Sequence, residues 1–176
     1  PEHPNIERLW LLRGRARQAL GKNTEAAADF DQVIFQWPFK SAALDAQAAL
    51  DASASTLTPP KRTFDARFDR ARDLRTTRHW DLAEDAFAAL LKDVATPSGT
   101  SEAENRIHYQ LALNAYGASR YDIAIPRLER LATLINAGQG SGLSPGEVFE
   151  HLVRCNAFAG RFDQALPWVD RRDRNL

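Results

Sequence analysis

The sequence has only one cysteine, Cys155, and no methionine. A lone cysteine cannot form a disulfide within the chain, which excludes a disulfide-stabilised scaffold. The sequence also lacks any run of about 18 apolar residues, so no membrane-spanning helix is predicted. Arg and Lys together number 23, and so do Asp and Glu. This zero net charge gives no general attraction to nucleic acid or to an anionic membrane, and neither is expected as a partner.

The motifs that usually carry chemistry are missing as well. No P-loop, glycine-rich dinucleotide turn or nucleophile elbow occurs. His151 and Cys155 lie four residues apart, but zinc takes about four ligands and no second such pair follows, so we interpret both as packing residues. Glu147 and Glu150 are residue types that can act as a general acid or base, but the sequence pairs neither of them with a nucleophile. We therefore expect no catalytic residue, no metal site and no cofactor.

The ends of the chain carry little information. It begins at Pro1 and stops just after a charged run at 171–174. No signal peptide is visible. We interpret the sequence as a piece of a longer protein, so the lack of a targeting signal does not define the compartment.

What the sequence does have is a five-residue string that occurs three times, at 79–83, 120–124 and 161–165. Each copy reads basic, aromatic, Asp, any residue, Ala, and the copies are 41 residues apart. A weaker copy lies at 21–26. A fixed period of about 20–50 residues is the mark of a stacked repeat protein.

Apolar periodicity and turn residues divide the chain into about nine helices. Thr24 and Ser41 are predicted to act as N-caps of the second and third helices. The predicted helices are 5–20, one from Thr24 to the break at 37–38, 41–53, 64–75, 81–93, 102–116, 122–135, 146–158, and one from 163 to the end.

Each position of the repeated string has an expected role. The aspartates should cap the free amides that open each second helix and face its positive dipole end; they are Asp81, Asp122 and Asp163. The alanines should allow close approach of the two helices of a pair; they are Ala83, Ala124 and Ala165. The aromatic residues should fill the junction with the next pair; they are Trp80, Tyr121 and Phe162.

Residues 10–38 resemble the tetratricopeptide repeat. Six positions carry the residue types of that repeat at its spacing: Trp10, Gly14, Ala26, Phe30, Val33 and Pro38. Arg13 and Arg17 depart from the pattern, since Leu and Tyr are usual there. The resemblance implies an all-α, right-handed α-solenoid of helix-turn-helix units.

A linker is predicted at 54–61, which contains Pro59 and Pro60. We therefore expect residues 1–60 to form one tetratricopeptide-like repeat, an extra helix and this linker. Residues 61–176 should form three units of the 41-residue period. One helix pair cannot bury its apolar face alone, so we expect the units to stack into one continuous solenoid.

Residues 63–176 also resemble the superhelical region of soluble lytic murein transglycosylases, in which a basic-Tyr-Asp-x-Ala string opens the second helix of each pair. In that family the helical region positions a murein strand, and a separate lysozyme-like domain cleaves it. The catalytic Glu-Ser motif of that domain has no counterpart here. The resemblance implies a non-catalytic binding domain of a periplasmic murein-acting enzyme, with a murein glycan strand as its partner.

The alternative is a protein-interaction scaffold of the bacterial envelope, such as an assembly or tethering factor. The stretch 37–43 resembles the aromatic-Pro-x-Ser-x-x-Ala junction of bacterial envelope repeat proteins at Trp37, Pro38 and Ala43, with Ser41 one position later than in that motif. A scaffold of this kind would bind a protein or peptide in its groove.

Polar residues at groove-facing positions are the candidate ligand contacts under both hypotheses. Arg and amide side chains could hold a peptide carboxylate or sugar hydroxyls, and Asp residues at four-residue spacing could present a charged surface. The alternative interpretation is a solvated helix face with ordinary ion pairs. The candidates are Arg8, Arg15, Gln18, Asp69, Asp73, Gln110 and Asn114.

Overall fold

The computed structural model describes residues 5–96, 99 and 101–174. Within these residues the fold has nine α-helices and no β-strand, which confirms the all-α prediction. The helices are α1 (Ile6–Ala19), α2 (Asn23–Gln36), α3 (Ser41–Ala52), α4 (Phe64–Thr76), α5 (Trp80–Val94), α6 (Glu102–Gly117), α7 (Tyr121–Asn136), α8 (Pro145–Phe158) and α9 (Phe162–Asp173). In the described part of the chain, no helix has both the length and the apolar character needed to cross a bilayer.

The chain divides into two compact units, Pro1–Thr63 and Phe64–Leu176. The first contains α1 to α3 and the second α4 to α9. In each unit a helix packs mainly against the helices next to it in sequence. Contacts between chain neighbours are what a helical repeat architecture requires, because each pair buries its apolar face on the next.

In the first unit a glycine sets the distance between α1 and α2. A Cβ on Gly14 would lie 2.6 Å from the ring of Phe30, which is completely buried. Only the missing side chain allows this approach. Ala42 and Ala46 of α3 complete the core on the other side of α2.

Arg13 and Arg17, which depart from the tetratricopeptide pattern, share one buried carboxylate. Asp29 is 2% exposed. It accepts hydrogen bonds from Arg13 Nε at 3.0 Å and Nη2 at 2.7 Å, and from Arg17 Nη1 at 2.7 Å. An ion pair therefore joins α1 to α2 where the pattern would place apolar side chains.

The alanines of the repeated string lie where expected. Ala83 and Ala124 are completely buried and Ala165 is 6% exposed. The matching apolar residues farther along α5 and α7, Phe87 and Leu128, are also completely buried. This confirms that a small residue at this position lets the two helices of each pair in the second unit come together.

Two of the three aromatic residues of the string, Trp80 and Tyr121, contact the following helix pair. A Cβ on Gly117 of α6 would lie 2.6 Å from the Trp80 ring, and the Tyr121 ring stacks on Phe158 of α8 at 5.8 Å between centroids. Gly117 and Phe158 are themselves 41 residues apart, so the two junctions are equivalent. Phe162, the third aromatic, is 66% exposed.

One turn type closes the helix pairs. The second residue after each first helix has positive φ: Gly21 (72°), Arg78 (63°), Ser119 (60°) and Gly160 (73°). The next amide then donates to the carbonyl oxygen five positions back, as His79 N does to Leu74 O at 2.8 Å and Arg120 N to Ala115 O at 2.8 Å. This is the Schellman arrangement of a helix C-terminus.

That turn explains why the capping predictions are wrong. The basic residue of the string ends the Schellman turn and is also the N-cap of the second helix, as His79 and Arg120 show. Asp81 and the equivalent aspartates therefore lie inside the first turn, where the helix dipole still favours them. Thr24 lies inside α2 after the same turn, with Lys22 as the N-cap. Ser41 also lies inside its helix, where Lys40 is the N-cap, but no positive-φ residue immediately precedes α3.

Side-chain capping is used instead where a longer connection precedes a first helix. Ser101 and Glu104 form a capping box at α6, and Ser144 accepts from Glu147 N at α8. Glu104 also accepts from Thr96 Oγ1 at 2.6 Å and from Thr96 N at 2.8 Å. These hydrogen bonds lower the pKa of Glu104 to about 2, so its carboxylate stays charged and fixes the path of the chain into α6.

We predict opposite effects from exchanging residues at two equivalent turns. Ser119→Gly should raise the free energy of unfolding by about 1 kcal/mol, because glycine reaches positive φ without a Cβ clash. Gly160→Ser should lower it by about 1 kcal/mol for the same reason. Urea denaturation of both variants measures the effects, and changes of the same sign would contradict the shared turn.

Candidate functional site

The first helices of the second unit line two adjoining clefts. One has a volume of about 260 Å³ and extends from Phe68 and Arg72 across α6. The other has a volume of about 510 Å³ and extends along α8 to Arg172 of α9. Both are lined by Ser144 and Glu147, so we treat them as one feature, the trough.

Tyr109 lies at the centre of the trough. Its hydroxyl oxygen is 3.2 Å from His151 Nδ1 and 3.5 Å from Glu147 Oε2. His151 Nδ1 is also 2.8 Å from the carbonyl oxygen of Glu147. Burial raises the pKa of Tyr109, and the Glu147 carboxylate raises it further, so the phenol keeps its proton and serves as a hydrogen-bonding group.

Gln110 supplies an unused acceptor to the trough. Its side-chain oxygen, Oε1, is buried and has no hydrogen-bond partner within residues 5–96, 99 and 101–174. A buried acceptor without a partner costs about 1–3 kcal/mol. A ligand that donates a hydrogen bond to this atom would recover that free energy, which makes Gln110 the best-defined contact point in the trough.

Arginines and carboxylates form the walls. Glu150 accepts from Arg172 Nη1 at 2.9 Å and from Arg154 Nε at 2.7 Å. The hydrogen bond from Arg172 is the main cause that lowers the pKa of Glu150, and Arg154 adds to it. At the other end the Arg106 guanidinium lies 4.8 Å from the Phe68 ring centroid. The walls therefore present guanidinium groups as planar hydrogen-bond donors, and the one from Arg106 lies beside the Phe68 ring.

The structure places the seven sequence-predicted contacts in different surroundings. Arg8 and Arg15 are exposed on α1, and Gln18 donates to Ser53 Oγ at 2.9 Å, all within Pro1–Thr63. Asp69 and Asp73 are exposed on α4. Asp69 pairs with Arg72 at 3.5 Å, an i,i+3 ion pair of the solvated kind.

Gln110 lines the trough, whereas Asn114, one helical turn later, does not. Asn114 is completely buried. Its side-chain amide donates to the Trp80 carbonyl at 2.9 Å and to Glu84 Oε2 at 3.1 Å. Asn114 therefore ties α6 to α5 inside the unit and is not available at a surface groove.

Sequence reasoning missed Tyr109 and the arginines of the trough. Helical spacing could have indicated part of the trough. Arg106 lies four residues before Gln110 on α6, so both share one helix face. On α8, Glu147, Glu150 and Arg154 follow one another at steps of three and four residues. Arg172 gave no such signal, because it reaches the trough from a different helix.

Cys155 belongs to the core and not to the trough. It is completely buried among the packed residues of α6 to α9. Burial raises the pKa of its thiol to about 11, so it remains a protonated, unreactive thiol. Among the described residues no three His, Cys, Asp or Glu side chains are grouped closely enough to hold a metal ion.

Comparison of the chain with protein-family models and with curated protein sequences finds no match. The functional argument therefore depends on the geometry of the chain itself.

We predict that the two amides of α6 respond differently to truncation. Asn114→Ala should lower the free energy of unfolding by about 1–3 kcal/mol, because it removes two buried hydrogen bonds. Gln110→Ala should not lower it, because the substitution removes a buried acceptor without a partner, whose burial costs about 1–3 kcal/mol. Urea denaturation compares them, and equal losses would show that both amides are structural.

Proposed function

We propose that this chain is a non-catalytic helical-repeat scaffold that binds an extended polar ligand in the trough. The observation that carries the proposal is the buried Gln110 Oε1, which has no hydrogen-bond partner among the described residues and belongs to a side chain that lines the same cleft as Tyr109 and Arg106. Concave sites with a few convergent polar groups are the usual form of a ligand site.

The state of Tyr109 favours binding over catalysis. A general base must lose its proton near neutral pH, but burial and Glu147 raise the pKa of Tyr109. His151 Nδ1 lies against Tyr109 and a backbone carbonyl, and Ser144, which lines the same cleft, uses its hydroxyl oxygen to cap α8 by accepting from Glu147 N. These groups fit the recognition of a ligand and not its cleavage.

We further propose that the helix pairs belong to the tetratricopeptide-like class and that those of the second unit stack in a right-handed solenoid. Support comes from the four equivalent Schellman turns and from the 41-residue period of the string. Repeated turns with repeated small residues give each pair the same shape, which is the condition for stacking.

For the ligand we propose a murein glycan strand, bound in the periplasm as part of a murein-acting enzyme. The resemblance of residues 63–176 to the superhelical region of lytic transglycosylases supports this choice. The trough chemistry supports it as well, since sugar hydroxyl and N-acetyl groups are donors for Gln110 Oε1 and acceptors for the arginines. The Tyr109 ring adds a partly apolar wall.

The second candidate is a peptide ligand, and the charge of the trough favours it. Four arginines line the trough, namely Arg72, Arg106, Arg154 and Arg172, against two carboxylates, Glu147 and Glu150. An excess of guanidinium groups suits the carboxylates of an acidic peptide. Under this alternative the chain is an assembly or tethering scaffold of the bacterial envelope.

A titration separates the two ligands. The whole chain is titrated with peptide-free murein glycan strands and, separately, with acidic peptides, and backbone amide NMR shifts are followed. Gln110→Met should weaken glycan binding about tenfold, because a donor then loses a hydrogen bond worth about 1.4 kcal/mol.

Gln164→Met is the matched control, since Gln164 is exposed on α9 and outside the trough. It should leave the affinity unchanged. Peptide binding without glycan binding would replace the first candidate by the second, and shifts that avoid α6 and α8 would contradict both.

A further inference from the structure

A second cleft lies among α5, α6 and α7 and does not share a lining residue with the trough. Its volume is about 650 Å³. Lys92, His108, Arg127 and Arg130 line it, together with a single carboxylate, Glu84. Its walls also include apolar side chains, among them those of Leu91, Leu111 and Pro126. We call this feature the basic cleft.

The carboxylate of the basic cleft is fully occupied by protein groups. Glu84 Oε2 accepts from Arg127 Nη1 at 3.2 Å and from Asn114 Nδ2 at 3.1 Å, and Arg127 Nη2 also binds Oε1. Burial would raise the pKa of Glu84, but these hydrogen bonds outweigh it and the pKa is lowered. Glu84 and Arg127 therefore neutralise each other inside the unit.

The other two cations of the cleft have no such partner. Arg130 Nη2 donates to a backbone carbonyl, Gly99 O, at 3.1 Å. Across residues 5–96, 99 and 101–174, neither Arg130 nor Lys92 forms a salt bridge. Both side chains are exposed, so two positive charges face the cleft without a balancing carboxylate.

His108 lines the same cleft and is half-buried. Burial lowers its pKa, and the positive charges of Arg130 and Arg127 lower it further, while Glu104 on its own helix opposes them. The charged groups facing it are Glu84 and Lys92 from α5, Glu104 from α6, and Arg127 and Arg130 from α7. A neutral imidazole is a donor at one nitrogen, and it becomes a third cation if an anion enters.

We propose that the basic cleft binds a phosphate dianion, with Lys92, Arg130 and His108 as its contacts. The two unbalanced charges match the charge of a phosphate group, and ammonium and guanidinium donors form their strongest hydrogen bonds with such oxygens. The site is independent of the trough, because none of its contacts lines that feature.

The dianion has two possible sources that share this chemistry. It is either inorganic phosphate or the phosphoryl group of a small molecule whose body packs on Leu91, Leu111 and Pro126. Phenyl phosphate is the probe for the second source, because its ring would cover apolar surface that inorganic phosphate leaves open.

Histidine NMR on the whole chain tests the proposal. The pKa of each imidazole is measured with and without potassium phosphate, at an ionic strength held constant with potassium chloride. Phosphate should raise the pKa of His108 by about one unit, because an adjacent anion favours the charged imidazolium. His79 and His151, which lie outside the cleft, should behave as they do in chloride alone.

Variants identify the contacts. Lys92→Gln and Arg130→Gln should each weaken phosphate binding about tenfold, the effect of losing about 1.4 kcal/mol. Arg130→Gln should also raise the pKa of His108 in the absence of phosphate, so the increment caused by phosphate is the quantity compared. Arg154→Gln, the same substitution in the trough, is the matched control and should leave phosphate binding unchanged.

Tighter binding of phenyl phosphate assigns the site to a small molecule, and equal binding assigns it to inorganic phosphate. Both results support a dianion site. The proposal is overturned if phosphate leaves the pKa of His108 where chloride does, or if Lys92→Gln and Arg130→Gln keep the full phosphate increment while circular dichroism shows them folded.

Discussion

The architecture of the second unit depends on how closely two helices can approach across the alanine of the repeated string. Ala83 and Ala124 have no exposed surface, so nothing larger fits at either position unless the helices separate. The Schellman turn before each second helix sets the direction in which that helix leaves. The turn and the alanine together give all the helix pairs of this unit the same shape. The aromatic residue of the string lies between the turn and the alanine in sequence, and at Trp80 and Tyr121 it contacts the next pair.

Much of this could be predicted from the sequence, because it depends on local chemistry repeated at a fixed interval. The helices and the buried alanines follow from apolar spacing and from the 41-residue period. The N-caps could not be predicted in the same way. Residue type does not indicate a positive φ at a serine or arginine, as at Ser119 and Arg78. Because of this turn, the next helix begins one residue earlier than the sequence predicts.

The site was less predictable than the fold for a related reason. Gln110 and Asn114 are one helical turn apart and chemically alike, and sequence assigns both to the groove. The difference arises from α5, where the Trp80 carbonyl and Glu84 engage the Asn114 amide and nothing equivalent reaches Gln110 Oε1. Which amide is structural depends on a neighbouring helix, and a single-helix pattern does not contain that information.

The two clefts of the second unit differ in how their charges are balanced. In the trough, Glu150 is held by two arginines and an amide oxygen is left without a partner. In the basic cleft, the carboxylate is neutralised by Arg127 and two cations remain. The trough therefore combines paired charges with a free amide acceptor, and the basic cleft combines one ion pair with two further cations, so the two clefts of this unit differ in their chemistry.

The close approach of paired helices is tested most directly at α5, where one alanine is buried and another is exposed. Ala83→Leu should lower the free energy of unfolding by about 1–3 kcal/mol, because added methylenes overpack a filled contact. Ala89→Leu, on the exposed face of the same helix, should change it by less than about 0.5 kcal/mol. If urea denaturation gave equal stabilities for the two variants, the helix contact at Ala83 would not have the role assigned to it.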